Sequence, residues 1–239
     1  MRVTNYLLGY KDLKIIQDNE MFNFSLDSVL LPNFVTLNKN ITKILDIGCG
    51  NAPIPLILST KTDASITGVE IQEEVYEMAV DSVKLNNKDN QINIVNKDIN
   101  DYYKEIETDT FDVITCNPPF FKYIETSNIN KNDYKTIARH EVKLNLNQLF
   151  NIAKKLLKNN GVIAIVHRPE RLVEIIEEMK KNNIEPKKVQ FVYPKKNMEA
   201  NIMLIEGSKN GKPGLKILPP LYTHLDNGDY TEEVKQYFE

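Results

Sequence analysis

Short apolar runs alternate along this chain with segments whose apolar residues recur at helical spacing. That alternation predicts an α/β fold, a mostly parallel sheet with helices on both faces. Two local features support it. Lys43 to Ile47 reads as a buried strand that runs into the turn Asp46-Ile47-Gly48-Cys49-Gly50, and Ser65 to Val69 reads as a second strand ending at Glu70. Glu70 lies 20 residues beyond Gly50, the spacing at which an acidic strand end can take hydrogen bonds from the ribose hydroxyls of a nucleoside cofactor.

The remaining elements follow in order. Leu13 to Ile16 reads as a strand, and Leu26 to Leu37 as a helix with Ser25 as its cap. After the glycine turn, Ile54, Leu56, Ile57 and Leu58 form a helix with Pro55 in its first turn. Val75, Met78, Ala79 and Val83 give the next helical stripe, before a third strand at Ile92 to Val95 and a fourth at Phe111 to Cys116. Leu146, Leu149, Phe150, Ala153, Leu156 and Leu157 mark an amphipathic helix closed by Asn159-Asn160-Gly161. Val162 to Val166 is the fifth strand, Leu172 to Met179 carries another helical stripe, and Val189 to Tyr193 and Asn201 to Glu206 are the last two strands. These boundaries divide the chain into an extension (1–39), a main domain (40–207) and a tail (208–239) with a turn at Lys212-Pro213-Gly214 and a final polar helix.

Composition narrows the class. At 239 residues, with 41% hydrophobic and 26% charged residues, the chain is long enough to bury a substantial core. The apolar run near Met1 is too short for a signal peptide or a membrane span, so a cytoplasmic protein is expected. Cys49 and Cys116 are two cysteines, read as reduced thiols filling apolar space rather than as a redox pair. His140, His167 and His224 are scattered, and no metal spacing appears. A formal net charge of −3 gives no global argument for a polyanionic partner. Among the local clusters, Arg168, Arg171, Lys195 and Lys196 are the best candidates for phosphate contact, because strand carboxyl ends face the active side of such a sheet.

Asn117-Pro118-Pro119-Phe120 follows the fourth strand and carries the chemistry. An amine conjugated to a base or carbonyl is a poor nucleophile, because its lone pair is delocalised. The Asn117 side-chain oxygen and the Pro118 main-chain oxygen can each accept one N–H, which favours a pyramidal nitrogen with its lone pair directed at an electrophile. The two prolines hold those acceptors without competing donors, and Phe120 offers a face for stacking. An Asn-Pro-Pro segment can also simply end a strand in a turn. The glycine motif has Ala52 where a third glycine is usual, which is compatible with binding if φ stays negative there. NAD would fit the first two strands too; the absence of a second mononucleotide half and the Asn-Pro-Pro-Phe segment separate the readings.

On Phe24-Ser25-Leu26-Asp27-Ser28-Val29-Leu30-Leu31, Val69-Glu70-Ile71-Gln72, Asn117-Pro118-Pro119-Phe120, Ala138-Arg139-His140-Glu141 and Ala200 to Glu206, the chain resembles the class I methyltransferases that use S-adenosylmethionine (SAM). It is most similar to the bacterial adenine-N6 methyltransferases acting on valine tRNA, a group also labelled predicted O-methyltransferases. The resemblance implies a Rossmann-like sheet of seven strands whose last strand is antiparallel, and a SAM-dependent enzyme methylating an adenine N6 amine in tRNA near the anticodon. It further implies that Asp46, Gly48 and Gly50 border the methionine part of SAM, that Glu70 holds the ribose, that Ile71 packs on the adenine and that Asp98 takes its amino group. Asn117, Pro118, Pro119 and Phe120 would be the catalytic segment, with Asn117 also touching the cofactor. Residues 1–39 would roof the cofactor, with Asp27 near its amino group, and Tyr123 to Lys143 would be a substrate loop. Arg168, Arg171, Lys195 and Lys196 would contact RNA. No metal or membrane is implied, and a monomer is expected. Competing readings are a protein glutamine N5-methyltransferase, a DNA adenine methyltransferase and a SAM-binding protein without catalysis. Phe120 in place of the tyrosine usual in the glutamine enzymes, and the short N-terminal segment, favour RNA.

Overall fold

A small hairpin stands apart from the main sheet. In the computed structural model, which describes residues 2–18, 25–118 and 144–238, β1 (Arg2–Tyr6) and β2 (Lys14–Asp18) pair antiparallel. The hairpin is fastened to helix α3 (Glu73–Leu85) by polar contacts. The Ile16 N–H donates to Ser82 Oγ at 2.9 Å, and Asn86 both accepts from the Lys14 N–H at 2.9 Å and donates to the Lys14 carbonyl at 2.6 Å. β2 is the strand expected near Leu13–Ile16. β1 has no counterpart in the sequence reading, because its residues are almost all exposed and carry no apolar alternation. Phe24, Pro119, Phe120 and the segment Tyr123 to Lys143, with Arg139, His140 and Glu141, lie outside the described residues.

The main sheet holds β3 (Lys43–Ile47), β4 (Ser65–Glu70), β5 (Ile92–Asn96), β6 (Phe111–Cys116), β7 (Leu157–His167), β8 (Ile184–Tyr193) and β9 (Ile202–Lys209). These are the seven expected strands, and two short ones, β10 (Lys216–Ile217) and β11 (Leu221–Tyr222), add to them from the tail. The order is β10-β8-β9-β7-β6-β3-β4-β5, with β11 also on β8. β9 runs antiparallel to β7 and β8, while the other pairings are parallel. From β3 the chain steps outward through β4 and β5, then returns to lay β6 on the other side of β3. The connections diverge above β3 and β6, leaving a crevice at their carboxyl ends, where ligands bind in open α/β sheets.

Alternation along the strands sorts the core into two layers. In β3, Ile44 faces one layer and Leu45 and Ile47 the other; in β7, Ala164 and Val166 face the first and Ile163 and Ile165 the second. Helices α1 (Asp27–Phe34), α2 (Pro53–Leu58) and α3 cover the first layer, and α5 (Leu146–Leu156) and α6 (Leu172–Lys181) the second. α5 starts at a capping box: the Asn145 side chain accepts from the Gln148 N–H, and the Gln148 side chain from the Asn145 N–H, both at 2.9 Å. From the tail, Leu221 and Val234, the latter on α7 (Glu232–Lys235), are fully buried in the first layer.

Several expectations are corrected. α1 spans Asp27–Phe34 rather than Leu26 to Leu37, and Val35 is already extended at φ −58° and ψ 139°. Ser25 does not cap it, because Leu26 holds the cap position in a helical conformation. β7 begins at Leu157, directly after α5, so Asn159-Asn160-Gly161 forms an irregularity inside the strand, with Asn160 at φ +63°. A seven-residue helix, α4 (Ile99–Glu105), was not foreseen; Ile99 is its one buried residue, which leaves no stripe to read.

Candidate active site

The carboxyl ends of four neighbouring strands, β6, β3, β4 and β5, bring together Asn117, the glycine turn, Glu70 and Asp98. Across the three intervening gaps the row spans roughly 14 Å at about 4.8 Å per strand. The turn is folded onto the end of β4, where the Val69 carbonyl accepts from the Gly48 N–H at 2.9 Å and the Cys49 N–H at 3.0 Å. Gly48 at φ +69° and Gly50 at φ +56° take left-handed conformations, and a Cβ built on either meets nothing within 4 Å. Open space therefore borders the bare backbone, as a bound ligand requires. Ala52 departs from expectation: its φ is +73°, not negative. It is fully buried before α2, and its N–H donates to the Cys49 carbonyl at 3.0 Å, so this alanine holds a conformation normally left to glycine.

Glu70 is almost fully buried, and both of its oxygens serve the backbone. Oε2 accepts from the Gly50 N–H at 3.1 Å and Oε1 from the Gln72 N–H at 2.9 Å. A carboxylate oxygen has capacity for a second donor, so fixing the turn does not prevent Glu70 from receiving hydroxyls. Ile71 follows at the strand end, partly exposed. Asp98 caps α4, accepting from the Asn100 N–H at 2.9 Å and the Asn100 amide at 3.0 Å.

Asp46 is the deepest charge of the site. It is completely buried, with Oδ1 accepting the Thr115 hydroxyl at 2.6 Å and Oδ2 without a partner among the described residues. Burial pushes its carboxyl up to about 7; the Thr115 bond opposes that shift and the nearby Glu70 adds to it. A buried, half-satisfied carboxylate beside a second acidic group is a seat awaiting positive charge. The register pairs Asp46 with Thr115 and Ile47 with Cys116, so Asn117 emerges beside Gly48. Cys49 and Cys116 are both buried free thiols, raised well above the usual range by burial and then by nearby carboxylates. A deprotonated, reactive thiol is disfavoured at both places.

Above this row lies α1. Asp27 is buried, which raises its carboxyl, against a Ser25 hydrogen bond and the charge of Arg168. Ser28 accepts from Asn117 Nδ2 at 3.3 Å. Of the four cations expected to meet phosphate, Arg168 donates to the Asn201 carbonyl at 2.7 Å, and Arg171 forms a two-bond pair with Glu174 at 2.8 and 2.7 Å. Lys195 donates to the Asp226 carbonyl at 3.1 Å, and Lys196 is exposed. Beside Arg168, buried His167 accepts the Arg168 N–H on Nδ1 at 2.8 Å. Burial and then the Arg171 charge push the His167 ring down to about 4. A separate cleft of about 440 Å³, lined by Asp109, Asn151, Lys154, Lys155 and Lys209, lies at the other end of the strands, before β6 and β8 begin and where β9 ends, away from this chemistry.

Sequence reasoning assigned no role to Ser28, Thr115 or Gly68. A Cβ on Gly68 would come within 2.8 Å of Cys49 Sγ and 2.9 Å of Ile94 Cδ1, so this glycine lets β4 lie close under the turn. A glycine inside a strand was the available signal. Ser28 and Thr115 carry no such mark.

A doubly wound sheet with this acidic row and an Asn-Pro pair at its switch point defines a Rossmann-like methyltransferase. Residues 27–191 match the family model described as the methyltransferase small domain. The chain belongs to that family, and membership supports S-adenosylmethionine as its methyl donor. The chain is 28% identical over 221 residues to a tRNA1(Val) (adenine(37)-N6)-methyltransferase of Flavobacterium psychrophilum, covering 85% of this chain and 93% of the relative. It is 27% identical over 237 residues to the enzyme of the same name from Christiangramia forsetii, covering 98% and 96%. Among solved structures, a predicted O-methyltransferase from Agrobacterium tumefaciens superimposes with a TM-score of 0.70 at 18% identity, over 89% of this chain and 95% of that one. Among the described residues, no helix is long and apolar enough to cross a membrane, and no group of three or more His, Cys, Asp or Glu is placed to hold a metal ion.

Proposed function

We propose that this chain methylates the N6 amine of an adenine in tRNA, beside the anticodon of valine tRNA, acting as a metal-free monomer in the cytoplasm. The observation that carries the reading is Asn117 standing next to a bare glycine turn at the switch point of the sheet. The names of the relatives over nearly the whole chain support the RNA substrate.

In this reading SAM supplies an electrophilic methyl group on a sulfonium. Asp46, Gly48 and Gly50 border its amino-acid end, Glu70 receives the ribose hydroxyls, Ile71 lies against the adenine and Asp98 takes its amino group. A buried Asp46 with an unpartnered oxygen suits a cationic ligand, which lowers the cost of ionising it. Asn117 Oδ1 and the Pro118 carbonyl accept the two N–H bonds of the target amine and aim its lone pair; Pro119 and Phe120 complete the segment. The proton leaves after transfer, to water. The target base must leave its stack at a cost of a few kcal/mol, offset by stacking on Phe120 and by phosphate contacts from Arg168, Arg171, Lys195 and Lys196.

The test is nucleoside mass spectrometry of individual tRNAs from cells with and without the gene. Loss of N6-methyladenosine from valine tRNA is the expected result. Unchanged tRNA with loss of methylglutamine from a protein would transfer the chemistry to an amide substrate.

A further inference from the structure

Asn117 is useful only in one of its two amide orientations. With Oδ1 toward the target it accepts an N–H; rotated by half a turn it presents two donors to an amine that already carries two hydrogens. The two orientations have nearly the same shape, so packing alone selects weakly between them, and a hydrogen-bond partner is needed to hold the amide plane facing the target. The described partner is Ser28, whose Oγ receives Asn117 Nδ2 at 3.3 Å across 89 positions of sequence.

A serine hydroxyl donates as well as accepts, so Ser28 fixes the place and plane of the amide, and the two N–H bonds of the target amine then favour the orientation with Oδ1 toward them. Ser28 is 6% exposed on α1, and its N–H donates to the Ser25 carbonyl at 3.1 Å. The far end of α1 is clamped to the sheet. Glu206 on β9, itself 2% exposed, accepts from the Thr36 N–H and the Thr36 hydroxyl at 2.7 Å each. Lys188 on β8 donates to the Phe34 carbonyl and to Thr36 Oγ1, and lies 3.4 Å from Glu206 Oε2. A short helix held in this way is a rigid mount, as the support of a catalytic amide requires.

We propose that Ser28 is a positioning residue that holds Asn117 Nδ2 and thereby leaves Oδ1 to accept the N–H of the target amine. The assignment rests on the catalytic role given to Asn117 above. It gives the Ser28 position of the N-terminal segment a task apart from cofactor contact, and it makes α1 part of the amine-orienting apparatus.

The test is a double-mutant cycle of Ser28→Ala and Asn117→Ala. Methyl transfer is followed with an unmodified valine tRNA transcript, SAM affinity by calorimetry and the fold by thermal midpoint. Ser28→Ala is expected to slow turnover about tenfold by loosening one positioning contact, with SAM affinity within about twofold of wild type. In the Asn117→Ala background the same change should cost nothing further. A substrate-free readout accompanies it: the Asn117 carboxamide NMR signals, identified by their loss in Asn117→Ala, should shift and broaden in Ser28→Ala. Full turnover in Ser28→Ala beside an inactive Asn117→Ala overturns the role of Ser28 and leaves the proposed function standing, as do additive losses. Full turnover in Asn117→Ala overturns both. Unmoved carboxamide signals overturn the contact whatever the substrate.

Discussion

Replacing Asp46 with asparagine isolates the electrostatic cost of burying this carboxyl. The carboxyl titrates near 7 in the folded, ligand-free protein, well above its ordinary 3.8. The folded state therefore holds a proton that the unfolded chain has lost; this contribution to stability is fully present below about pH 3.8 and is lost progressively as pH rises through about 7. From about pH 5.5 to the midpoint near 7, at 1.36 kcal/mol per unit, the loss is about 2 kcal/mol, complete by roughly pH 8. His167 acts in the opposite sense, since a ring pushed down to about 4 destabilises the fold as pH falls below its ordinary 6.5. Both proteins keep His167, so the difference between them reports Asp46 alone. Urea unfolding of ligand-free wild type and Asp46→Asn across that range should show the variant gaining about 2 kcal/mol relative to wild type from low to high pH. Parallel profiles would refute the buried-charge argument.

Asn117→Ala should retain SAM affinity by calorimetry while turnover falls by about 100-fold or more, the worth of one positioning group in the reacting geometry. Glu70→Ala should weaken SAM binding at least about tenfold, since it removes a hydroxyl acceptor and frees the Gly50 N–H of the turn; unchanged affinity would misplace the cofactor frame. Lys188→Met should lower unfolding free energy by about 1–3 kcal/mol, because it leaves the nearly buried Glu206 carboxylate with Thr36 as its described donor. Below about pH 6.5 His167 opposes the stability that Asp46 gains, so His167→Gln should become progressively more stable than wild type as pH falls from about 6.5 to about 4 in urea titrations.

The central strands were legible because each is a compact apolar run closed by turn chemistry. Lys43–Ile47 and Phe111–Cys116 match their expected limits residue for residue. The acidic strand end and the Asn-Pro step were visible for a related reason: backbone-level needs such as a left-handed turn or a missing donor restrict residue type, and restriction leaves a pattern. Side-chain partnerships across long sequence distance leave none. Thr115 meets Asp46 because β6 returns beside β3, and Ser28 meets Asn117 because α1, packed on β7 and β9, reaches the end of β6. β10 and β11 are two residues each, too short for any period, and the left-handed Ala52 contradicts local preference because the tight turn before α2 overrides it. Asn160 was read as closing a helix, yet its left-handed φ serves a bend within β7.

β10 and β11 lie against the outer side of β8, and Leu221 and Val234 beside them are sealed inside. While the chain is being made, β8 emerges from the ribosome more than twenty positions before the segment that covers it. During that interval a nascent chain presents unpaired the part of β8 from Lys188 to Tyr193 that the tail will cover, a template for association with other chains. Truncation after Lys209 would make that exposure permanent, so such fragments should partition into the aggregate fraction.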